Sequence, residues 1–275
     1  MSATNSIAPE KLFRLVGTPT CPAIIDVRPQ GSDLIPSSIR KPADNVGEWA
    51  SPLQGRKVVV TCAEGKEKAA GVAALLRSEG IDAEMLEGGV AAWRDAGMPM
   101  IDASKLPEPD SAGRTVWVTR ARPKVDRIAC PWLIRRFVDP SARFLFVSPS
   151  EVAGVAERFN ATPFDVDGVF WSHRGDRCSF DTMVEELGLG GFKALERLAM
   201  IVRGADTARP EIAPQVAGLL AASLGLSRMY ADDHEQLEAG MLLYDTFYRW
   251  CRDAVDETHD WVSHKPRRAR ESVTA

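Results

Sequence analysis

Residues 57–68 read KVVVTCAEGKEK, and this stretch decides the fold of the first half of the chain. The β-branched run at 57–62 predicts a strand that is buried on both faces of a sheet. The helical spacing of apolar residues over 68–79, with Gly80 after them, predicts a helix directly behind the strand. Alternating strands and helices of this kind are typical of an α/β fold with a parallel sheet and helices on both faces.

Cys62 stands where this strand meets the helix. Backbone N–H groups without helical partners and the positive end of the helix dipole stabilise a thiolate or a bound anion in such a position. Gly65 allows the backbone to turn around the sulfur. The pattern predicts nucleophilic attack by this sulfur on an anionic or polarised substrate, and the alternative is a buried cysteine that closes a strand. The candidate substrate-binding residues are those of the loop: Ala63, Glu64, Gly65, Lys66, Glu67 and Lys68.

Two further motifs, one on either side of Cys62, carry a family resemblance. Asp26-Val27-Arg28 precedes the loop, and LEGGVAAW at 86–93 with AGMP at 96–99 follows it. Together with the Cys62 loop they resemble the rhodanese (sulfurtransferase) domain over about residues 7–100. The resemblance implies a five-stranded parallel sheet and a catalytic Cys62 that carries a persulfide from a small anionic sulfur donor to a thiol acceptor. It implies no required cofactor.

The stretch DASKLPEPDSAG at 102–113 is rich in Pro, Ser, Asp and Gly, and it is interpreted as a linker. The predicted organisation is therefore a rhodanese-like domain at 1–102, a linker at 103–113, a second domain at 114–262 and a disordered basic tail at 263–275. In the second domain, strands are predicted at 115–119, 143–147 and 164–171, and helices at 126–137, at 149–159 and from 192 onward. This pattern predicts a second, α/β-to-helix-rich domain.

Composition limits the classes of protein to consider. Of 275 residues, 45% are apolar and 26% are charged, and the net charge of −4 argues against a general nucleic-acid coat protein. The longest apolar stretch, 216–226, is shorter than the roughly 20 residues that span a bilayer, and residues 1–9 lack the features of a signal peptide. We therefore expect a cytoplasmic protein without a membrane partner. Direct DNA binding is disfavoured because no basic recognition helix is evident.

The five cysteines are widely spaced and form no CxxC pair, which argues against a disulfide framework and a four-thiolate zinc site. A transition metal in the second domain is a separate hypothesis. The segment HRGDRCSFD at 173–181 holds three side chains able to ligate such an ion: His173, Cys178 and Asp181. Their spacing matches no standard zinc pattern, so ordinary loop packing is the alternative.

Basic residues are concentrated at 120–143, a segment that contains seven of them and only two aspartates. Such an excess in an acidic protein predicts a site for chromate or another oxyanion, with Arg127, Arg135 and Arg136 as the candidates. The alternative is a solvated helix face that pairs with the acidic residues near 232–238.

The second half also resembles a known family. The motifs KVDRIACPWLIRRF at 124–137, CSFD at 178–181 and IVRGADT at 201–207 are similar to the C-terminal domain of the chromate-resistance protein family ChrB, over about residues 114–252. The two resemblances together imply a sulfurtransferase fused to a domain that acts in chromate or oxyanion stress. The alternatives are a chromate-responsive regulator whose rhodanese domain is not catalytic, and a metal-binding detoxification protein.

Overall fold

The computed structural model describes residues 5–257, and its first half is a parallel α/β unit. The strands of this half are β1 (Ser6–Ile7), β2 (Ala23–Asp26), β3 (Asp33–Leu34), β4 (Ser38–Arg40), β5 (Val58–Thr61), β6 (Ala83–Leu86) and β7 (Ile101–Asp102). Its helices are α1 (Pro9–Phe13), α2 (Val46–Trp49), α3 (Glu67–Ser78) and α4 (Gly89–Asp95). The predicted five-stranded parallel sheet is confirmed, in the order β1-β6-β5-β2-β4.

The central strand β5 explains the burial of this sheet. Val58, Val59 and Val60 are each at most 1% exposed, and successive side chains of a strand point to opposite faces. Val58 and Val60 belong to one apolar cluster with Val72 and Leu76 of α3, whereas Val59 belongs to the cluster on the other face. Both faces of the sheet are therefore covered, as the unbroken β-branched run predicts.

The second half combines a small parallel sheet with most of the helical residues. Its strands are β8 (Val116–Arg120), β9 (Arg143–Val147) and β10 (Thr162–Pro163), in the order β10-β8-β9. Its helices are α5 (Asp126–Leu133), α6 (Val152–Phe159), α7 (Ser179–Glu186), α8 (Lys193–Asp206), α9 (Val216–Met229) and α10 (Asp233–Asp253). The expected helix-rich second domain with some strand content is thus observed.

Two predicted elements of the second half differ from the structure. The stretch 164–171 is a turn closed by one bridge between Phe164 and Trp171, because Asp165 (φ +52°) and Gly168 (φ +78°) adopt left-handed backbone conformations that a strand does not contain. The helix predicted at 126–137 ends as α5 at Leu133 and continues as one π-helical turn at Ile134–Val138.

The two halves share one apolar core. Phe13 of α1 stacks on Phe192 with ring centroids 4.7 Å apart. A methyl group at Gly17 would lie 2.2 Å from the ring of Phe137, so the backbone of the first half contacts that ring directly. The N–H of Ser37 also donates to the carbonyl oxygen of Phe137 at 2.5 Å. The core of the first half therefore continues into the second half.

The predicted linker at 103–113 makes specific contacts. A short 3₁₀ helix at Ala103–Lys105 is capped by Asp102, and Lys105 forms an ion pair with Glu186 of α7 at 2.8 Å. The predicted tail at 263–275 lies outside the described residues. Within residues 5–257, no helix has both the length and the apolar character needed to cross a bilayer.

Candidate functional site

The carboxyl ends of β2, β4 and β5 lie at one edge of the parallel sheet, and Cys62 is at this edge. Cys62 directly follows β5, while Val27 follows β2 and Lys41 follows β4. Ligands of open α/β sheets bind at the carboxyl ends of the strands. Cys62 is 7% exposed, so its sulfur is mostly desolvated where a ligand is expected.

Backbone hydrogen bonds fix the loop that follows Cys62. The N–H groups of Val90 and Ala91, at the start of α4, donate to the carbonyl oxygens of Cys62 and Ala63, each at 2.9 Å. In a trans peptide the N–H points opposite to the C=O, so the N–H groups of Ala63 and Glu64 point away from α4. Within residues 5–257, the N–H groups of residues 63–66 have no hydrogen-bond acceptor. They are free donors in the loop that directly follows Cys62, and successive free N–H groups of a loop suit a bound anion.

Two glycines allow this close packing of loop and helix. Gly65 (φ +63°) and Gly89 (φ +60°) both adopt left-handed conformations, which glycine tolerates without strain. A methyl group at Gly89 would lie 2.3 Å from the carbonyl oxygen of Cys62, and one at Gly65 would lie 2.6 Å from the nitrogen of Gly89. Any larger side chain at either position must displace the loop.

A cavity of about 390 Å³ opens at this edge of the sheet. Lys41 and Lys68 line it, and neither has an ion-pair partner in the described part of the chain. Lys66, by contrast, forms an ion pair with Glu64. Of the two loop lysines, Lys68 is therefore the one that is left to attract an anion.

A buried carboxylate fixes the position of Arg28, which lines this cavity. Asp26, at the end of β2, accepts hydrogen bonds from Nε (3.0 Å) and Nη2 (2.8 Å) of Arg28. Arg28 also donates to Asp33, which pairs with Arg94 of α4. The network ties the ends of β2, β3 and α4 together and positions Arg28 in the lining of the cavity.

The other four cysteines lie outside the Cys62 loop: Cys21 precedes β2, and Cys130, Cys178 and Cys251 belong to the second half. Burial raises the pKa of Cys21 to about 12 and that of Cys251 to about 11. Burial also raises the pKa of Cys130 and of Cys178 above the usual range. These four thiols stay protonated at neutral pH, so they serve as matched controls for Cys62.

Arg127, one of the three predicted oxyanion ligands, is engaged within the protein. Its Nε lies 3.4 Å from Oδ2 of Asp165, and its Nη1 donates to the carbonyl oxygen of Ala121 at 3.0 Å. Arg120 contacts the same carboxylate oxygen at 3.1 Å. Two guanidinium groups thus share one buried aspartate.

Arg135 and Arg136 lie elsewhere, on the lining of an open cavity of about 330 Å³. Arg135 pairs with Glu238 at 2.6 Å, and Arg136 makes a bidentate contact with Asp245 at 2.8 and 2.7 Å. The structure therefore brings Arg135 and Arg136 to one cavity and separates them from Arg127. Oxyanion binding at these arginines stays a prediction.

His173 lies among three aspartates that were not among the predicted metal ligands. Its Nε2 is 3.2 Å from Oδ2 of Asp206, 3.3 Å from Oδ1 of Asp165 and 3.6 Å from Oδ2 of Asp126. Asp126 begins α5 and Asp206 ends α8, whereas Asp165 and His173 lie between β10 and α7. Among the described residues, the group able to hold a metal ion consists of Asp126, His173 and Asp206.

The two other predicted metal ligands make different contacts. The Sγ of Cys178 donates to Oδ2 of Asp181 at 3.3 Å. Asp181 also accepts two hydrogen bonds from Arg203, each of 2.9 Å. The structure therefore does not bring Cys178 and Asp181 into the cluster around His173.

Comparison with known families assigns both halves of the chain. The rhodanese-like domain family matches residues 8–96, and the ChrB C-terminal domain family matches residues 117–251. The chain carries a rhodanese-like domain followed by a ChrB C-terminal domain. Protein ChrB from Cupriavidus metallidurans is 33% identical over 169 residues, which cover 57% of this chain and 50% of that protein. The chain thus spans about half the length of the curated relative it matches.

Solved structures similar to this chain include a rhodanese-like domain protein and a thiosulfate sulfurtransferase. A rhodanese-like domain protein from Staphylococcus aureus is 28% identical, covers 33% of this chain and 91% of its own, and has a TM-score of 0.31. A thiosulfate sulfurtransferase from Pseudomonas aeruginosa is 22% identical, with 38% of this chain and 20% of that chain covered and a TM-score of 0.32.

In the ChrB C-terminal domain, burial and the charges of neighbouring aspartates raise the pKa values of Asp126 and Asp206 near His173. Burial raises the pKa of Asp126 well above its usual range, and the charges of Asp206 and Asp165 raise it further. Burial, followed by the charge of Asp165, also raises the pKa of Asp206.

One sequence signal points to Asp206, because the helix dipole disfavours a carboxylate at the C-terminal end of a helix. An acid in that position indicates a role other than helix stability.

Proposed function

We propose that the rhodanese-like domain is a sulfurtransferase that carries sulfur as a persulfide on Cys62. The observation that supports this most directly is the set of unpaired N–H groups at residues 63–66 beside a sulfur at the strand–helix junction. A persulfide is an anion at neutral pH, and preorganised N–H donors stabilise it without further rearrangement.

The proposed reaction has two steps at the same sulfur. The thiolate of Cys62 attacks the outer sulfur of a donor such as thiosulfate. A new sulfur–sulfur bond forms, the donor's own sulfur–sulfur bond breaks, and sulfite leaves with the electron pair. A thiolate acceptor then attacks the outer sulfur of the persulfide and removes it, which regenerates the Cys62 thiolate.

The cavity lined by Lys41 and Lys68 supports an anionic donor. Both ammonium groups lack an ion-pair partner within residues 5–257, and they lie at the edge of the sheet that carries Cys62. Positive charge in a concave site raises the local concentration of anions.

The test is replacement of Cys62 by serine in the full-length chain. Cys62→Ser should abolish both the mass increase of one sulfur atom after exposure to thiosulfate and the transfer of sulfur to cyanide. Cys21→Ser, Cys130→Ser and Cys251→Ser should keep most of the activity, because burial keeps those thiols protonated. Equal turnover in Cys62→Ser would exclude the sulfurtransferase function.

We further propose that the ChrB C-terminal domain acts in chromate or oxyanion stress and that the protein works in the cytoplasm. Four of the five cysteines are buried and all five are free, a state that a reducing compartment preserves. A second candidate is a chromate-responsive sensor whose rhodanese-like domain is not catalytic, and the shared core supports it because a change in either domain reaches the other. Chromate tolerance that survives Cys62→Ser while sulfur transfer is lost would support the sensor, and a DNA-shift assay would show whether it acts on DNA.

A further inference from the structure

Four side chains from three segments of the ChrB C-terminal domain converge at spacings that suit a metal ion. The Nε2 of His173 is 3.2, 3.3 and 3.6 Å from oxygens of Asp206, Asp165 and Asp126. Two ligands that each lie about 2.1 Å from a metal at a tetrahedral angle are about 3.4 Å apart. The observed distances lie on either side of that value.

The negative charge of this cluster is only partly compensated. Asp165 pairs with Arg120 and Arg127. Asp126 and Asp206 have no arginine or lysine ion-pair partner within residues 5–257, and the imidazole of His173 is their shared neighbour. Two adjacent carboxylates without such a partner require a bound cation or a proton.

One oxygen of the cluster is both buried and unpartnered. The side chain of Asp126 is 1% exposed, and its Oδ2 accepts the N–H of Ser179 at 2.6 Å and faces His173. Its Oδ1 has no hydrogen-bond partner in the described part of the chain. Buried polar atoms without a hydrogen-bond partner are rare in folded proteins and indicate a ligand, an ion or a water.

We infer that Asp126, His173 and Asp206 bind a divalent first-row transition-metal ion such as Mn²⁺, Fe²⁺ or Zn²⁺. Carboxylate and imidazole ligands suit these ions. Asp165 stays in its arginine pairs, accepts a hydrogen bond from Oγ of Ser179 at 2.8 Å, and orients the site from outside the ligand set.

The three ligands differ in exposure in a way that gives the site an open side. The side chain of Asp126 is 1% exposed, that of Asp206 is 18% exposed and that of His173 is 42% exposed. The ion therefore reaches the site from the side of His173. Three protein ligands leave at least one coordination position for water or a small ligand.

The experiment titrates Mn²⁺ into the full-length, chelator-treated chain and follows the electron paramagnetic resonance signal of free Mn²⁺, with Zn²⁺ binding measured by calorimetry. One ion should bind per chain. His173→Gln and Asp206→Asn should weaken binding by at least the roughly 10–100-fold that loss of an outer-shell partner costs. These two positions are chosen because Asp126 also caps α7 through Ser179, so its replacement perturbs folding.

Asp176→Asn is the matched control, because this aspartate lies in the same loop as His173 and its side chain is 95% exposed. It should leave the affinity for Mn²⁺ unchanged, and equal weakening in this variant would exclude the assigned ligands. Absence of binding of either ion at about 1 mM would overturn the inference. In that case a proton compensates the carboxylates, and Asp206→Asn should raise the thermal stability of the metal-free chain.

Discussion

The N–H of Val90 donates to the carbonyl oxygen of Cys62 at 2.9 Å, so the first turn of α4 fixes the peptide that carries the reactive side chain. Gly89, one residue earlier, packs so closely that an added methyl group would lie 2.4 Å from the nitrogen of Gly65. The loop after Cys62 and the glycine pair at the start of α4 are therefore one packed unit, although more than 20 residues of chain separate them.

Gly89→Ala should reduce sulfur transfer at least tenfold, because the methyl group displaces the loop and redirects its free N–H groups. The left-handed backbone of Gly89 adds a conformational cost of roughly 1–2 kcal/mol. Gly97→Ala is the control, since Gly97 has φ +67° and nothing within 4 Å of the added methyl. Both variants should lose stability in urea from the left-handed backbone, Gly89→Ala should lose more because its methyl group also clashes with the loop, and only Gly89→Ala should lose activity. Equal activity losses would mean that strain, rather than displacement of the loop, is the cause.

Lys68→Gln should lower kcat/KM for thiosulfate several-fold and should reduce the dependence of this rate on salt, because an unpaired cation beside the cavity is removed. A neutral sulfur donor should be affected little. Lys57→Gln removes the same charge at the opposite end of β5, where Lys57 lies 3.6 Å from Asp82. The control should change neither rate. A loss that is the same for charged and neutral donors would assign Lys68 a structural role.

The sequence predicts the Cys62 region well because the signals there are local. The β-branched run at 57–62 specifies a buried strand, and Gly65 and Gly89 specify backbone conformations that other residues avoid. The strand predicted at 164–171 is not observed, and backbone conformation is the reason here too. Its apolar residues favour a strand, but Asp165 takes a left-handed conformation that ends it.

Apart from the unfavourable position of Asp206 at a helix end, no local signal predicts the cluster around His173. Asp126, Asp165 and Asp206 come from a helix start, a turn and a helix end, and only the packing of α5, α7 and α8 brings them to His173. The sequence locates His173 but pairs it with Cys178, its neighbour in the chain. In the fold, Cys178 bonds Asp181 instead.

Phe137→Ala should destabilise both domains at once. The ring is fully buried, contacts Gly17 of the rhodanese-like domain and packs against Phe192. The loss should be about 3–5 kcal/mol, as for other buried aromatic side chains replaced by alanine. Urea unfolding followed by sulfur transfer and by circular dichroism should give one coincident transition at a lower midpoint. Phe159→Ala, at a position that is 62% exposed, should shift the midpoint little. Two separate transitions in the parent chain would contradict a shared core.

The cavity beside Arg135 gives the oxyanion prediction a sharper test. Arg136 is engaged by both oxygens of Asp245, whereas the partner of Arg135 is Glu238, whose side chain is 65% exposed. An exposed ion pair of this kind contributes only about 0–1 kcal/mol, so an incoming dianion competes with Glu238 for Arg135.

Glu238→Gln should therefore strengthen the binding of sulfate, a tetrahedral dianion that does not oxidise thiols, and should increase the thermal shift that sulfate produces. At about 100 times the dissociation constant, ligand linkage adds about 2.7 kcal/mol to the free energy of unfolding. Arg135→Gln should remove the shift. Glu235→Gln, one turn earlier on α10, makes the same change in net charge without touching Arg135, and it should behave as the parent chain. If Glu235→Gln and Glu238→Gln increase the shift equally, net charge is responsible and the arginines at 135–136 are a salt-bridged surface. If sulfate and chromate give no shift in any of these chains, the oxyanion prediction is wrong.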